Sequence, residues 1–155
     1  MIAWRVEKKK WIATSRSGEG ARSVGGRWNS PGLSLIYASE HLSLSLLEIL
    51  VHAPLASQRL TARARARISI PDTAIERVTA KSLPPDFGPD ASYAVTQAIG
   101  DRWIQEQRSA ALIVPSAIVP VEHNILLNPA HPDFSKCGWS RFEDIQLDPR
   151  LWVVS

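Results

Sequence analysis

The sequence lacks the features of a secreted or membrane-bound protein. Its 155 residues contain one cysteine, Cys137, which cannot form an internal disulfide bond. No segment approaches the ~20 consecutive apolar residues that cross a bilayer. The N-terminus becomes polar at Arg5, too early for a secretory signal peptide. We therefore expect a protein of the reducing cytoplasm that has no contact with a membrane.

The motifs of several common enzyme classes are also missing. The sequence has no G-x-G-x-x-G dinucleotide fingerprint, no G-x-x-x-x-G-K-[ST] phosphate loop and no G-x-S-x-G nucleophile elbow. His131 and Asp133 lie in a proline-rich segment, where we expect them to serve a turn and not a catalytic triad. The histidines and the cysteine show no metal-ligand spacing, so we expect no metal.

What is present fits one globular domain covering residues 1–155. Hydrophobic residues make up 45% of the chain and charged residues 21%. The net charge is only +3, but residues 1–30 contain seven Lys and Arg and two Glu. A second basic cluster has no acidic neighbour in the sequence and consists of Arg59, Arg63, Arg65 and Arg67. Both clusters suit an anionic ligand such as a phosphate compound or a nucleic acid, or else form a solvated face.

The hydrophobic pattern of the first half predicts short strands and one helix. Residues 2–6 and 33–38 are expected to form strands, and residues 15–32 a long loop that holds five of the eight glycines. Ser39 is the expected N-cap of a helix over residues 40–52. Residues 61–70 alternate strictly between apolar residues and arginine or other polar residues, which predicts a half-buried strand with a basic outer face.

The second half continues the same mixture. A helix is predicted over residues 93–107, with an inner boundary marked by Val95, Ala98, Ile99, Arg102 and Trp103. Further strands are predicted over residues 111–114, 117–119, 124–127, 145–147 and 151–154. Two helices among six to eight strands, without regular alternation, indicate an α+β fold and not a doubly wound sheet.

Three polar residues stand in unusual surroundings. Arg27 follows two glycines in the loop, where a guanidinium fork suits a pyrophosphate; alternatively, Arg27 pairs with a carboxylate while Trp28 enters the core. Glu48 interrupts an apolar helical stretch, where a carboxylate must be paired or must serve a cation, unless it lies on the helix surface. Ser116 stands between Pro115 and Pro120 and either has a role in a site or closes a strand-end turn.

Several ordered motifs resemble the RES-domain toxin family. They are GGRWNSPG at 25–32, IYASE at 36–40, LLEILVH at 46–52, RSA at 108–110, VPSA at 114–117 and NILLNPAHPDF at 124–134. The resemblance spans nearly the whole chain. The arginine, glutamate and serine that give the family its name correspond to Arg27, Glu48 and Ser116.

The resemblance implies a fold similar to that of ADP-ribosyltransferases, with a central split β-sheet and flanking helices. It also implies a toxin of a type II toxin–antitoxin system that acts on NAD as its substrate, with no further cofactor. The reaction would be NAD breakdown by water or phosphate, or transfer of ADP-ribose to a protein target. The expected partner is a helix-turn-helix antitoxin of the Xre type, which blocks the pocket and provides any contact with DNA.

The expected roles of the residues follow from the chemistry of the nicotinamide–ribose bond. Its cleavage passes through a ribosyl cation, which Glu48 would stabilise, while Arg27 would anchor the pyrophosphate. Tyr37 would stack on the nicotinamide or lend its hydroxyl to the ribose, unless it only packs in the core. Ser116 would donate to the nicotinamide or ribose. Secondary contacts with NAD are expected from Asn29, Arg5 and His52.

A nucleic-acid-binding module is the competing hypothesis. It would use the arginines of the strand at 61–70 and the run Lys8-Lys9-Lys10. However, the net charge is modest, no groove-reading motif is recognisable, and the aromatic residues are not interleaved with the basic ones.

Overall fold

An eight-stranded mixed sheet frames the protein in a computed structural model, which describes residues 1–52, 61–88 and 90–148. The strands run in the spatial order β4-β5-β6-β2-β1-β3-β7, and β8 also pairs with β3. All pairs are antiparallel except the parallel pair β4 and β5. The strands are β1 (Ile2–Lys8), β2 (Ile36–Ser39), β3 (Arg63–Ser69), β4 (Ile75–Arg77), β5 (Ala111–Pro115), β6 (His123–Leu127), β7 (Gly138–Trp139) and β8 (Glu143–Ile145).

Helices flank the sheet. The α-helices are α1 (Glu19–Val24), α2 (Leu42–His52) and α3 (Ala94–Gln105), and short 3-10 helices lie at Lys9–Thr14, Asp72–Ala74, Ala80–Ser82 and Pro132–Lys136. None of the described helices has the length and apolar composition needed to span a membrane.

The central strands are apolar because both of their faces are buried. On β5, Leu112 and Val114 join Trp28 and Trp103 in one core cluster, whereas Ile113 belongs to a second cluster. Successive side chains of a strand point to opposite faces, so a continuous apolar run is required where both faces are covered.

The sheet is split between β1 and β2. These strands share a single residue pair, Trp4 with Ser39, whereas the neighbouring pairs of strands run in register over several residues. Beyond that pair, the Arg5 side chain bridges the strands, its Nη1 donating to the Tyr37 carbonyl at 2.7 Å. The predicted α+β class with a split central sheet is therefore confirmed.

Two predicted local elements are wrong because side-chain hydrogen bonds override the apolar pattern. Residues 117–119 form a turn, since the Ser116 hydroxyl accepts the backbone N–H groups of Ile118 and Val119, each at 3.1 Å. Ser39 is the last residue of β2 and not a helix cap; its hydroxyl donates to Asn124 Oδ1 at 2.8 Å, and α2 begins at Leu42.

Other predicted elements differ from the observed ones in their bounds. Part of the predicted loop at 15–32 is helical, because α1 covers Glu19–Val24. The predicted strand at 145–147 is instead β8, Glu143–Ile145, and the predicted strand at 151–154 lies outside the described residues.

The expected basic outer face of β3 is only partly formed. Arg67 is exposed, but Arg63 is buried at 7% exposure, where burial lowers the pKa of its guanidinium. Arg65 Nη2 pairs with Glu143 Oε2 of β8 at 2.9 Å. A strand that is distant in sequence thus supplies the acidic partner that the local sequence lacks. Arg59 lies outside the described residues.

The buried face of α3 is rotated from the predicted one. Thr96, Gly100, Trp103 and Ile104 are buried, whereas Val95, Ala98 and Arg102 are exposed. The cause is a close approach at Gly100, where an added Cβ atom would overlap the backbone of Trp28. The smallest residue of the helix therefore faces inward, and the helix turns its valine and alanine outward.

Candidate functional site

The glycine-rich loop is a tight turn that presents Arg27. Gly25 has a φ of +73°, and the Gly26 N–H donates to the Asn29 carbonyl at 2.9 Å, which leaves Arg27 and Trp28 at the tip. The Trp28 side chain is buried at 2% exposure. Its entry into the core confirms one part of the alternative interpretation of this loop, and Arg27 points into a cleft.

Helix α3 fixes the loop by hydrogen bonds that include two to its backbone carbonyls at the tip. Thr96 Oγ1 donates to the Arg27 carbonyl at 2.6 Å, and Gln97 Nε2 donates to the Gly26 carbonyl at 2.9 Å. Both residues lie within one turn of Gly100, which contacts the Trp28 backbone. The loop conformation therefore depends on the close packing of α3.

The Arg27 guanidinium is held between aromatic rings. Its Cζ atom lies 4.5 Å from the ring centroid of Tyr93 and 5.8 Å from that of Phe87. Such cation–π contacts restrict the plane of a guanidinium while leaving its edge able to donate hydrogen bonds. Tyr93 was not predicted as a site residue; an aromatic residue at the start of a helix was its only signal in the sequence.

Tyr37 and Asn29 support the loop from within. The Tyr37 hydroxyl donates to Asn29 Oδ1 at 2.8 Å and accepts the Trp28 N–H at 3.0 Å, and burial raises the pKa of Tyr37. Asn29 is fully buried, and its Nδ2 donates to the carbonyls of Ala21, Ser30 and Leu33. Tyr37 borders the cleft, whereas Asn29 does not.

Glu48 is a half-buried carboxylate with a defined set of donors. Its Oε1 accepts Asn124 Nδ2 at 2.6 Å and Ser116 Oγ at 3.5 Å, and its Oε2 lies 3.5 Å from His52 Nε2. Burial raises the pKa of Glu48, but the hydrogen bonds from His52 and Asn124, together with nearby positive charge, outweigh this effect. The net pKa is therefore below the usual range. The hydrogen bond to Glu48 in turn raises the pKa of His52.

Ser116 lies behind Glu48 and not in the cleft. It has no exposed surface, and its Oγ accepts two backbone N–H groups in the turn after β5. The hydroxyl proton is thus available to Glu48. The geometry places Ser116 in contact with the carboxylate, away from the space that a substrate would occupy.

The cleft opens where β1 and β2 separate, and it has a volume of about 530 Å³. This volume is typical of small-molecule sites. Five of the predicted site residues border it, namely Arg5, Arg27, Tyr37, Glu48 and His52, and the unpredicted Tyr93 and Asn124 do so as well. Arg5 has a structural task besides, because it bridges the strands and its Nη2 pairs with Glu7 Oε2 at 2.5 Å.

Asn124 was the residue of the Glu48 environment that the sequence analysis missed. It is the second residue of β6, and the sequence marks it only as the first residue of a family motif and of an apolar run. A polar amide at the start of an apolar run is a weak signal, because such residues often only end a strand.

Known proteins are similar to this chain over nearly its whole length. The RES domain family matches residues 2–148. A protein of Photorhabdus laumondii named "Toxin Res" is 38% identical over 152 residues, covering 97% of each chain. A protein of Sphingobium sp. named "Prs ADP-ribosylating toxin" is 36% identical over 153 residues, covering 96% of this chain and 94% of the relative.

The fold also occurs in a crystal structure of the MbcT–MbcA toxin–antitoxin complex of M. tuberculosis. The TM-score is 0.78 at 23% sequence identity, with 97% of this chain and 86% of that chain covered. At this identity the likeness concerns the fold.

Proposed function

The chain belongs to the RES domain family, and from this premise we propose that it is the toxin of a toxin–antitoxin pair and cleaves the nicotinamide–ribose bond of NAD. One observation carries the proposal. An ionised carboxylate, Glu48, borders the same cleft as an arginine on a rigid glycine loop, Arg27. This pair matches the two charges that the reaction needs, an anion for the ribose and a cation for the pyrophosphate.

The carboxylate acts on the developing cation. As the bond between ribose C1′ and the nicotinamide nitrogen breaks, its electron pair leaves with nicotinamide, and positive charge develops on C1′ and the ring oxygen. A fixed anion near that charge lowers the barrier most where water is excluded. Because Glu48 Oε1 accepts the bonds from Asn124 and Ser116, we assign Oε2, whose one described partner is His52 at 3.5 Å, to the ribose.

The other residues bind and orient the substrate. The edge of the Arg27 guanidinium donates to the pyrophosphate, while Tyr93 restrains its plane. We assign the ring of Tyr37, and not its hydroxyl, to nicotinamide stacking, since the hydroxyl already makes two hydrogen bonds. We assign Ser116 an indirect role, in which its hydroxyl contacts Glu48 and not NAD. From the sequence, a direct contact with NAD was expected.

Release of nicotinamide by the purified, antitoxin-free protein tests this proposal. We expect nicotinamide to accumulate from NAD, measured by liquid chromatography with and without inorganic phosphate. An ADP-ribose product that carries phosphate identifies phosphate as the acceptor, and free ADP-ribose identifies water. Absence of nicotinamide release under both conditions, with the protein folded and with a cell extract added as a source of acceptors, overturns the proposal.

ADP-ribosylation of a protein is the second candidate reaction. The name of the Sphingobium relative favours it. Both reactions use the same cation and differ only in the group that attacks C1′ and then loses its proton. Incubation of a cell extract with NAD labelled in its adenylate phosphate separates them, because only transfer leaves the label on protein.

We propose that a protein antitoxin is the partner, by analogy with the toxin–antitoxin complex that shares the fold. A helix-turn-helix antitoxin of the Xre type would also supply any DNA contact. The proposed setting is the cytoplasm, which suits the one cysteine of the chain, the buried free thiol Cys137.

Substitution of Arg27 by lysine tests the pyrophosphate anchor. Lysine keeps the charge but not the planar fork, so one of two parallel hydrogen bonds is lost. We expect KM for NAD to rise about tenfold, with a smaller change in kcat, measured by steady-state nicotinamide release. The matched control is Arg102→Lys on the outer face of α3, where the arginine pairs with Glu106, and its KM should equal that of the wild type. An unchanged KM for Arg27→Lys contradicts the assignment.

A further inference from the structure

A chain of side-chain hydrogen bonds runs from β2 through β6 to Glu48. The Ser39 hydroxyl donates to Asn124 Oδ1 at 2.8 Å, and Asn124 Nδ2 donates to Glu48 Oε1 at 2.6 Å. Ser39 is buried at 3% exposure and lies directly opposite Asn124 in the antiparallel pair of β2 and β6. The register of two strands thus determines which side chain meets the carboxylate.

The order of donors along this chain has a single consistent direction. An amide has distinct donor and acceptor ends, and a flipped Asn124 would present its oxygen to the Glu48 carboxylate. Because an ionised carboxylate only accepts hydrogen bonds, the NH₂ end is directed at Glu48, and the amide oxygen then accepts the Ser39 hydroxyl. A hydrogen bond of this kind is made to the ionised carboxylate and is weakened when the carboxylate accepts a proton.

We propose that Asn124 is a positioning residue for Glu48 and that Ser39 anchors the oxygen end of its amide. Asn124 holds Oε1 in place on the inner side, so that Oε2 keeps a constant position toward the cleft. The structural part of this inference stands on the hydrogen bonds alone, and its catalytic consequence rests on the proposed cleavage of NAD.

The charged groups near Glu48 belong to residues other than Asn124, so a substitution at Asn124 does not remove them. His52 lies one turn further along α2, and Arg27 acts from the glycine loop. On β6 the neighbouring His123 is engaged with Glu40, whose Oε1 accepts the His123 N–H at 2.6 Å and lies 3.2 Å from its ring nitrogen. A change at Asn124 therefore isolates the effect of one uncharged amide.

The test is a titration of the Glu48 carboxyl carbon by NMR in protein labelled with ¹³C-glutamate, with the signal assigned by its loss in Glu48→Gln. We expect the pKa of Glu48 to rise in Asn124→Ala, and to rise by less in Ser39→Ala, which leaves the amide but removes the hydrogen bond that anchors its oxygen. The matched control is Asn128→Ser, which changes a buried asparagine just past the other end of β6, whose Nδ2 faces the Ile104 carbonyl. The pKa of Glu48 should not move in this variant.

Kinetics supply the second measurement. In Asn124→Ala, kcat for nicotinamide release should fall about tenfold to a hundredfold with little change in KM, because the carboxylate is misplaced and not removed. The acid limb of the pH profile should move upward with the pKa. If Asn124→Ala fails to fold, Ser39→Ala carries the same measurements.

The outcomes separate this inference from the proposed function. A rise of the Glu48 pKa in the two variants but not in the control supports the positioning role, even if the wild type releases no nicotinamide and the proposed function fails. An unchanged pKa in Asn124→Ala, or an equal rise in Asn128→Ser, overturns the positioning role whether or not NAD is cleaved.

Discussion

Replacement of Glu48 by glutamine is expected to reduce nicotinamide release by about 10²-fold to 10³-fold while the protein stays folded. Glutamine has nearly the same shape, so its amide oxygen still accepts the hydrogen bond from Asn124. What it removes is the negative charge that stabilises the ribosyl cation, and the loss of one aligned electrostatic contact in an active site has an effect of this size. The reduction should appear in kcat, because the ground-state substrate does not carry the full charge on its ribose.

Three measurements make this expectation specific. NAD binding by calorimetry should stay within a few-fold of the wild type, and the thermal midpoint should change little. The matched control is Glu106→Gln, which alters a surface glutamate that pairs with Arg102 and should leave turnover unchanged. Full turnover in a folded Glu48→Gln protein would remove Glu48 from the mechanism.

Glu48 also shows how far sequence reasoning reaches. The cost of a carboxylate in an apolar stretch correctly indicated that Glu48 needs partners. The partners themselves were not predictable, because Ser116 and Asn124 lie 68 and 76 residues away along the chain. Local periodicity carries no information about which strands become neighbours, and only the family resemblance linked Glu48 to Ser116.

The elements of the fold also divide into features that the local sequence predicts and features that depend on distant contacts. The strand at β3 was predicted because its alternation of arginine and alanine is a local signal. The burial of Arg63 and the ion pair of Arg65 were not, because they depend on the pairing of β3 with β1 and with the short strand β8. For α3 the predicted inner face is partly wrong, since Trp103 is buried and Ile99 packs against the core but Val95 and Ala98 are exposed. The helix approaches the Trp28 backbone at Gly100, a contact that hydrophobicity does not reveal.

Gly100 therefore yields the second large expected effect, in Gly100→Ala. The new Cβ atom would overlap the Trp28 carbonyl, which is backbone and cannot rotate away as a side chain could. The helix must move outward, against the hydrogen bonds that Thr96 and Gln97 donate to the loop. Overpacking of this kind costs ~3 kcal/mol, from which the better helix propensity of alanine recovers ~1 kcal/mol. A net loss of ~2 kcal/mol lowers the thermal midpoint by roughly 4 to 8 °C.

Activity should fall by more than stability alone explains. If α3 shifts, the loop that carries Arg27 shifts with it, and a displacement of about 1 Å in a binding group can reduce turnover about 10²-fold. Nicotinamide release is therefore measured well below the thermal midpoint, where the variant is folded.

Gly20→Ala is the matched control, because Gly20 lies within α1 and a Cβ atom there meets nothing within 4 Å. That variant should be slightly more stable than the wild type and fully active. A Gly100→Ala protein that loses stability but keeps its turnover would show that α3 does not position the Arg27 loop. One that keeps both would show that α3 and the loop are not in close contact at Gly100.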